Sequence, residues 1–313
     1  MMLAFLTRLG RFAPQFMAVS VFVALLVPGL AHVAKPFLAP SVWALLFIAM
    51  VRLDWPGVIL LVRQWRLLVA VLTWMLIANP LLIWSLLQLF DLPPGLAAAL
   101  VLMAASAPLM STPALSLMIG LDASLALVVM VAATFLAPVT VPVVALELTG
   151  LEIEIGSVGM MIRLLALVGS AFAAALLARH KLGNDRMQQH GQSLNGILVI
   201  VMAVFALAIM DGASVMLLAD PGRVLKITLL SFVANAGLQA AGALVFWRLD
   251  PLQRYSIGFV CGMRNMGLIL AVLPGDIDPD TVLYFAMGQF PIYILPALLK
   301  PFYGRLVGSQ NRV

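Results

Sequence analysis

Charge is scarce in this sequence: Asp, Glu, Lys and Arg make up 10% of its 313 residues, against 64% hydrophobic residues. One water-soluble core cannot absorb that much apolar surface, and no sizeable soluble domain fits between the apolar runs. Cysteine is scarcer still. The lone Cys261 excludes an internal disulfide and a cysteine-built zinc site. The scattered histidines His32, His180 and His190 make no metal cluster, so neither a metal nor any other cofactor is expected. The sequence has no H-E-x-x-H, no G-x-S-x-G and no aspartate pair within an apolar run, which argues against a membrane-embedded enzyme. The net charge of +5 and pI near 9.8 fit basic residues flanking membrane spans, not nucleic-acid binding.

What the chain has is long apolar runs, and its mean hydropathy is +1.12. A membrane-crossing helix takes about 20 apolar residues. Reading runs between charges and Pro/Gly punctuation predicts ten spans, near 12–31, 38–53, 66–90, 94–119, 122–146, 157–178, 194–210, 224–247, 252–273 and 280–304. Charges sort onto alternate loops. Arg8, Arg11, Arg52, Arg63, Arg66, Arg179, Lys181, Arg186, Arg248, Arg254, Lys300, Arg305 and Arg312 fall on one side. Asp91, Glu147, Glu152, Glu154, Asp211, Asp220, Asp276, Asp278 and Asp280 fall on the other, with Lys35, Arg163, Arg223 and Lys226 as its basic minority. By the positive-inside rule both termini are cytoplasmic, and the expected location is the cell inner membrane. The first run is long for a signal-peptide core and no A-x-A site follows it, so it is expected to be retained.

A cut near residue 155 leaves an odd number of spans in each half, 1–155 and 156–313, so the halves insert with opposite orientation. That is the plan of an inverted repeat, in which discontinuous helices at corresponding positions meet near the mid-plane. The fourth span of each half is built to break. Ser106-Ala107-Pro108-Leu109-Met110-Ser111-Thr112-Pro113 carries two prolines and three hydroxyls. Gly258 to Gly267 carries three glycines, Arg264 and Asn265. Proline removes a backbone donor and glycine weakens helix, and backbone freed in this way must be buried in protein or line a cavity.

Arg264 stands well inside its span, where a charge is costly. No Asp or Glu falls within the interior of a predicted span to pair with it. One reading is a structural guanidinium bonded to freed carbonyls. The other is a binding site for a transported anion, because the planar fork matches carboxylate, sulfate or phosphate oxygens. Intramembrane acids and histidines, which proton-coupled carriers use, are missing, and a fixed cation opposes sodium.

At these same stretches the chain resembles the sodium/bile acid symporter superfamily, of the apical bile-acid-transporter type. The pattern Gly95-Leu96 through Ala107-Pro108, then Ser111-Thr112, Gly120, Asp122-Ala123-Ser124 and Pro138, is similar to that family's fourth-to-fifth helix region. Gly262-Met263-Arg264-Asn265-Met266-Gly267-Leu268, after Arg254 and Ser256, resembles its ninth-helix signature. The resemblance implies an all-α membrane protein of ten transmembrane helices in a 5+5 inverted repeat, with discontinuous helices 4 and 9 crossing. It also implies a core domain of helices 3–5 and 8–10 working against a panel of helices 1, 2, 6 and 7. The family's sodium ligands transfer poorly. Their positions fall on Thr112, Pro113, Ala126, Met130, Val260 and Arg264, and only Asn265 keeps its type.

The expected function is therefore secondary transport of a small or amphipathic organic anion by alternating access within the lipid bilayer, independent of sodium. Arg264, Asn265, Met263, Ser111, Thr112, Pro113 and Asn79 form the expected substrate site. Asn79 either contacts substrate or braces the broken helix. The alternatives are a sodium-coupled symporter and a non-transporting membrane sensor on a carrier scaffold. The 18 methionines read as soft packing, the tryptophans as interfacial anchors, and the Asp276/Asp278/Asp280 cluster as a solvated turn.

Overall fold

The computed structural model describes residues 20, 22–25, 27–52, 64–150, 155–182, 191–273 and 277–308. Parts of the first predicted span, and the loop charges Arg8, Arg11, Arg63, Glu152, Glu154, Arg186, Asp276 and Arg312, lie outside these residues. The described chain is helical, and its one β-type pairing is an isolated bridge. We number the helices α1 (Pro28–Val51), α2 (Trp65–Leu87), α3 (Pro94–Ala105), α4 (Thr112–Met118), α5 (Ala123–Thr149), α6 (Gly156–Leu182) and α7 (Gly191–Ile209). Then follow α8 (Ala213–Ala219), α9 (Pro221–Val245), α10 (Pro251–Gly262), α11 (Met266–Leu270), α12 (Pro279–Met287) and α13 (Gln289–Gly308).

Among the described residues six helical runs are long and apolar enough to cross a membrane, or seven if α7 and α8, which meet at a 42° bend, make one span. Large apolar side chains such as Leu117, Leu218, Leu229 and Val233 stand exposed on the outside, as lipid-facing residues do. This is an all-α protein with the helices of a multi-pass membrane protein. The loop expected near residues 32–37 is instead a 3₁₀ turn at Lys35–Phe37 inside α1. Pro36 falls at the start of that turn, where its missing N–H costs no helical bond.

Two packing groups position the site. The Leu38–Val51 stretch of α1 packs against both α6 and α7. In the other group, α9 lies along α10, α12 lies along α3, and α5 touches α4 and α10. The α9–α10 contact is close because glycines face it. A Cβ on Gly258 would stand 2.6 Å from the Gln239 carbonyl oxygen, and one on Gly242 would stand 2.9 Å from Cys261 Sγ.

Capping follows the sequence. Asp122 accepts from the Ser124 and Leu125 N–H groups at the start of α5, and Asp220 and Asp250 cap α9 and α10. The solvated-turn expectation fails at Asp280. That side chain is buried and pairs with Arg223 at 2.6 Å, while Asp278 caps its helix by accepting from the Asp280 N–H. The N-termini of α3, α9 and α12 meet here, with Thr281 donating to the Gly95 carbonyl at 2.8 Å, and burial follows from that convergence. Residues assigned to one loop face by charge come together: Lys35 with Asp211 at 3.0 Å, and Arg223 with Asp280.

Candidate functional site

Interruptions in three of the helical runs converge on one side chain. In α2 a π-turn spans Trp74–Ala78, and the Asn79 N–H reaches back five residues to the Trp74 carbonyl. Pro80 has no N–H to offer. The Met75 carbonyl is therefore left without a helical donor, at the kind of irregularity that marks functional sites. Between α3 and α4, Ser106 turns into extended backbone and Pro108 again offers no donor. Between α10 and α11, the Asn265 N–H abandons the Cys261 carbonyl and donates to the Ala107 carbonyl at 2.8 Å. Leu109 N–H returns the bond to the Met263 carbonyl at 2.9 Å, which makes the antiparallel bridge Pro108–Arg264. The two interrupted helix pairs are thus joined backbone to backbone.

Arg264 is 1% exposed and gathers the orphaned carbonyls. Its Nε donates to Cys261 O at 2.6 Å, and its Nη1 donates to Ser106 O at 2.7 Å with a long contact to Met75 O at 3.5 Å. Nη2 is buried without a partner. Among the described residues no acid pairs with it. The guanidinium sits where carbonyl dipoles from three elements point, an arrangement that suits a desolvated cation. Asn235 steadies the same turn by donating from Nδ2 to the Gly262 carbonyl at 2.7 Å. Gln239 in turn donates to Asn235 Oδ1 at 2.7 Å. Asn265 Oδ1 accepts from the Leu268 N–H, opening α11.

In front of this crossing lies a cavity of about 270 Å³. Val42, Leu45, Leu46, Ile48 and Ala49 of α1 form one wall, and Leu198, Met202 and Phe205 of α7 another. The crossing itself contributes Leu109, Met110, Ser111, Pro113 and Asn265, and α5 adds Leu127 and Met130. Arg52, just past the end of α1, is the charged residue on the lining. The Ser111 hydroxyl is buried with no partner. Phe205 packs on Gly267 so closely that a Cβ there would strike its ring. This presses α7 against α11 beside the cavity.

Of the expected site residues, Ser111, Pro113 and Asn265 line this cavity. Arg264, Met263, Thr112 and Asn79 are buried in the protein beside it and do not line it. Met263 contributes its carbonyl to the bridge, and Asn79 is fully buried with both amide atoms unpartnered. Two residues escaped sequence reasoning. Arg52 looks like any basic flank, and only the packing of α1 on α7 turns it to the cavity. Trp74 looks like an interfacial anchor, yet its Nε1 is buried and unpartnered. The Asn79-Pro80 pair was the available signal for the π-turn beside it.

Helices and site together define a multi-pass, all-helical membrane protein with two mutually bonded helix breaks and an apolar cavity against them. No family profile matches the chain, and no curated protein matches it.

Proposed function

We propose that the protein is a secondary carrier for an amphipathic organic anion, working by alternating access without sodium. The observation that carries this reading is the lined cavity: an apolar chamber against the bonded breaks, holding one guanidinium, a free hydroxyl and an amide. Such a lining accepts an apolar body and fixes an anionic head, as small-molecule sites do. Arg52 supplies the direct charge contact, and Ser111 and Asn265 supply hydrogen bonds. Arg264, one residue from Asn265, adds positive potential through a low-dielectric wall.

In this reading the chain has ten spans in two inverted halves, with both termini in the cytoplasm of a cell with an inner membrane. The α1, α6 and α7 group serves as the panel, and the helices around the crossing serve as the moving core. The packing groups and the meeting of like-sided loop charges support it, as does the resemblance to the sodium/bile acid symporters. A sodium-coupled mechanism is disfavoured because a tethered guanidinium already takes the carbonyls that a desolvated cation would need.

Proteoliposome uptake of labelled amphipathic carboxylates and sulfonates, with and without a sodium gradient, tests the proposal. We expect saturable uptake of at least one such anion, at equal rates in both conditions. Strong sodium stimulation overturns the coupling argument, and binding without flux overturns the carrier reading.

A further inference from the structure

The polar groups on the cavity lining are sorted to its two ends, and the sorting follows from how α1 and α7 run. Lys35 near the start of α1 pairs with Asp211 just past the end of α7 at 3.0 Å, and the Leu38–Val51 stretch packs along α7, so the two helices are antiparallel. Val42 and Phe205, both on the lining, lie about two helical turns further in from that pair, and Ala49 and Leu198 about two turns beyond them. Phe205 packs on Gly267, which puts Asn265 at the Phe205 end. Arg52 is at the other. Between them run roughly 10 Å of apolar wall, with Leu45 and Ile48 from α1 and Met202 from α7.

The two ends ask for different things. Arg52 is the charged residue on the lining and takes an anionic group. At the crossing end, Asn265 Oδ1 is already spent on the Leu268 N–H at 3.2 Å, and its Nδ2 donates to no described residue. The Ser111 hydroxyl, just past the Pro108–Arg264 bridge, has no partner either. Two unused donors on one cavity wall call for an acceptor. That acceptor is neutral. Arg264 does not line the cavity and has committed Nε and Nη1 to carbonyls, so no cation stands at this end to pair with a second desolvated charge. The volume of about 270 Å³ falls just below the range of drug-sized sites, so an occupant that reaches both ends is narrow.

We propose that the substrate is a slender, two-headed monoanion. Its anionic group is held by Arg52, and a carbonyl oxygen about 10 Å away accepts from Asn265 Nδ2 and the Ser111 hydroxyl. An apolar chain along α1 and α7 joins the two. This rests on the carrier reading of the same cavity and narrows it: chain length and the distal carbonyl, not apolar bulk, set selectivity.

The test is isothermal titration calorimetry of the purified full-length protein in detergent, with probes of equal chain length: octanoate, the same chain with a ketone beside its terminal methyl, and octanedioate. We expect the ketone to bind about three- to ten-fold more tightly than octanoate, the worth of a neutral hydrogen bond, and octanedioate no more tightly than octanoate. Asn265→Asp keeps the acceptor that caps α11 and loses the donor, and should erase the ketone's advantage. Ser111→Ala should reduce it. Arg52→Gln should weaken octanoate and the ketone alike and keep their ratio. Equal affinities for octanoate and the ketone overturn the proposal and leave the carrier reading standing, as does an unchanged ratio in Asn265→Asp. Octanedioate binding most tightly overturns the neutral far end. No binding of any probe overturns the anion site itself, and the carrier reading with it.

Discussion

Under the proposed reading two arginines divide the labour that the sequence assigns to one. Arg264 is spent on carbonyls of Cys261 and Ser106, so removing it does more than remove a charge. Arg264→Gln strips donors from buried backbone, and each such group is costly away from water. We expect that variant to lose several degrees of Tm, whereas a side chain needed only for substrate would leave Tm unchanged. Arg52 lies at an exposed helix end on the cavity lining. Arg52→Gln should leave Tm nearly unchanged and raise the KM for an anionic substrate by about ten-fold, the loss of one charge-assisted hydrogen bond. An unchanged KM would remove Arg52 from the binding site.

The breaks were legible in the sequence as clusters of proline, glycine and hydroxyl residues, because each type removes a donor or weakens a helix locally. Their partners were not legible. That Asn265 N–H bonds Ala107, or that Arg264 reaches the Met75 carbonyl, depends on residues far apart in sequence. The cost of burying Arg264 could be read from one position, but its solvation by carbonyls needed three elements at once. The burial of Asp280 escaped for the same reason, since three helix ends make it. The α9–α10 contact gives an element-scale prediction. Gly258→Ala puts a methyl 2.6 Å from the Gln239 carbonyl oxygen, and overpacking of this kind costs about 1–3 kcal/mol. Thermal unfolding should show a clear loss, while Ala at Gly29, with nothing within 4 Å of the new Cβ, should behave as wild type apart from helix propensity.

At the scale of the whole molecule, the cavity lies between two groups of helices, and Phe205 on Gly267 closes one part of that seam. Ala49 lines the cavity one turn before Arg52. A cysteine placed there should react with a membrane-impermeant maleimide in inside-out vesicles and be protected by substrate. Reaction only from the opposite side would invert the orientation drawn from the charge pattern. The native Cys261 is buried and should contribute little background.

Because the cation at the crossing is covalently part of the chain, it cannot leave with the cargo. Under the proposed reading the protein's fixed positive charge returns with the empty carrier and no coupling cation travels, so a monoanion turnover that exchanges no second anion carries one elementary charge across the bilayer. The electrical gradient then contributes about 2.3 kcal/mol per 100 mV. In a cell held negative inside, that favours expulsion over accumulation, and current measured on a supported membrane should follow the substrate's valence.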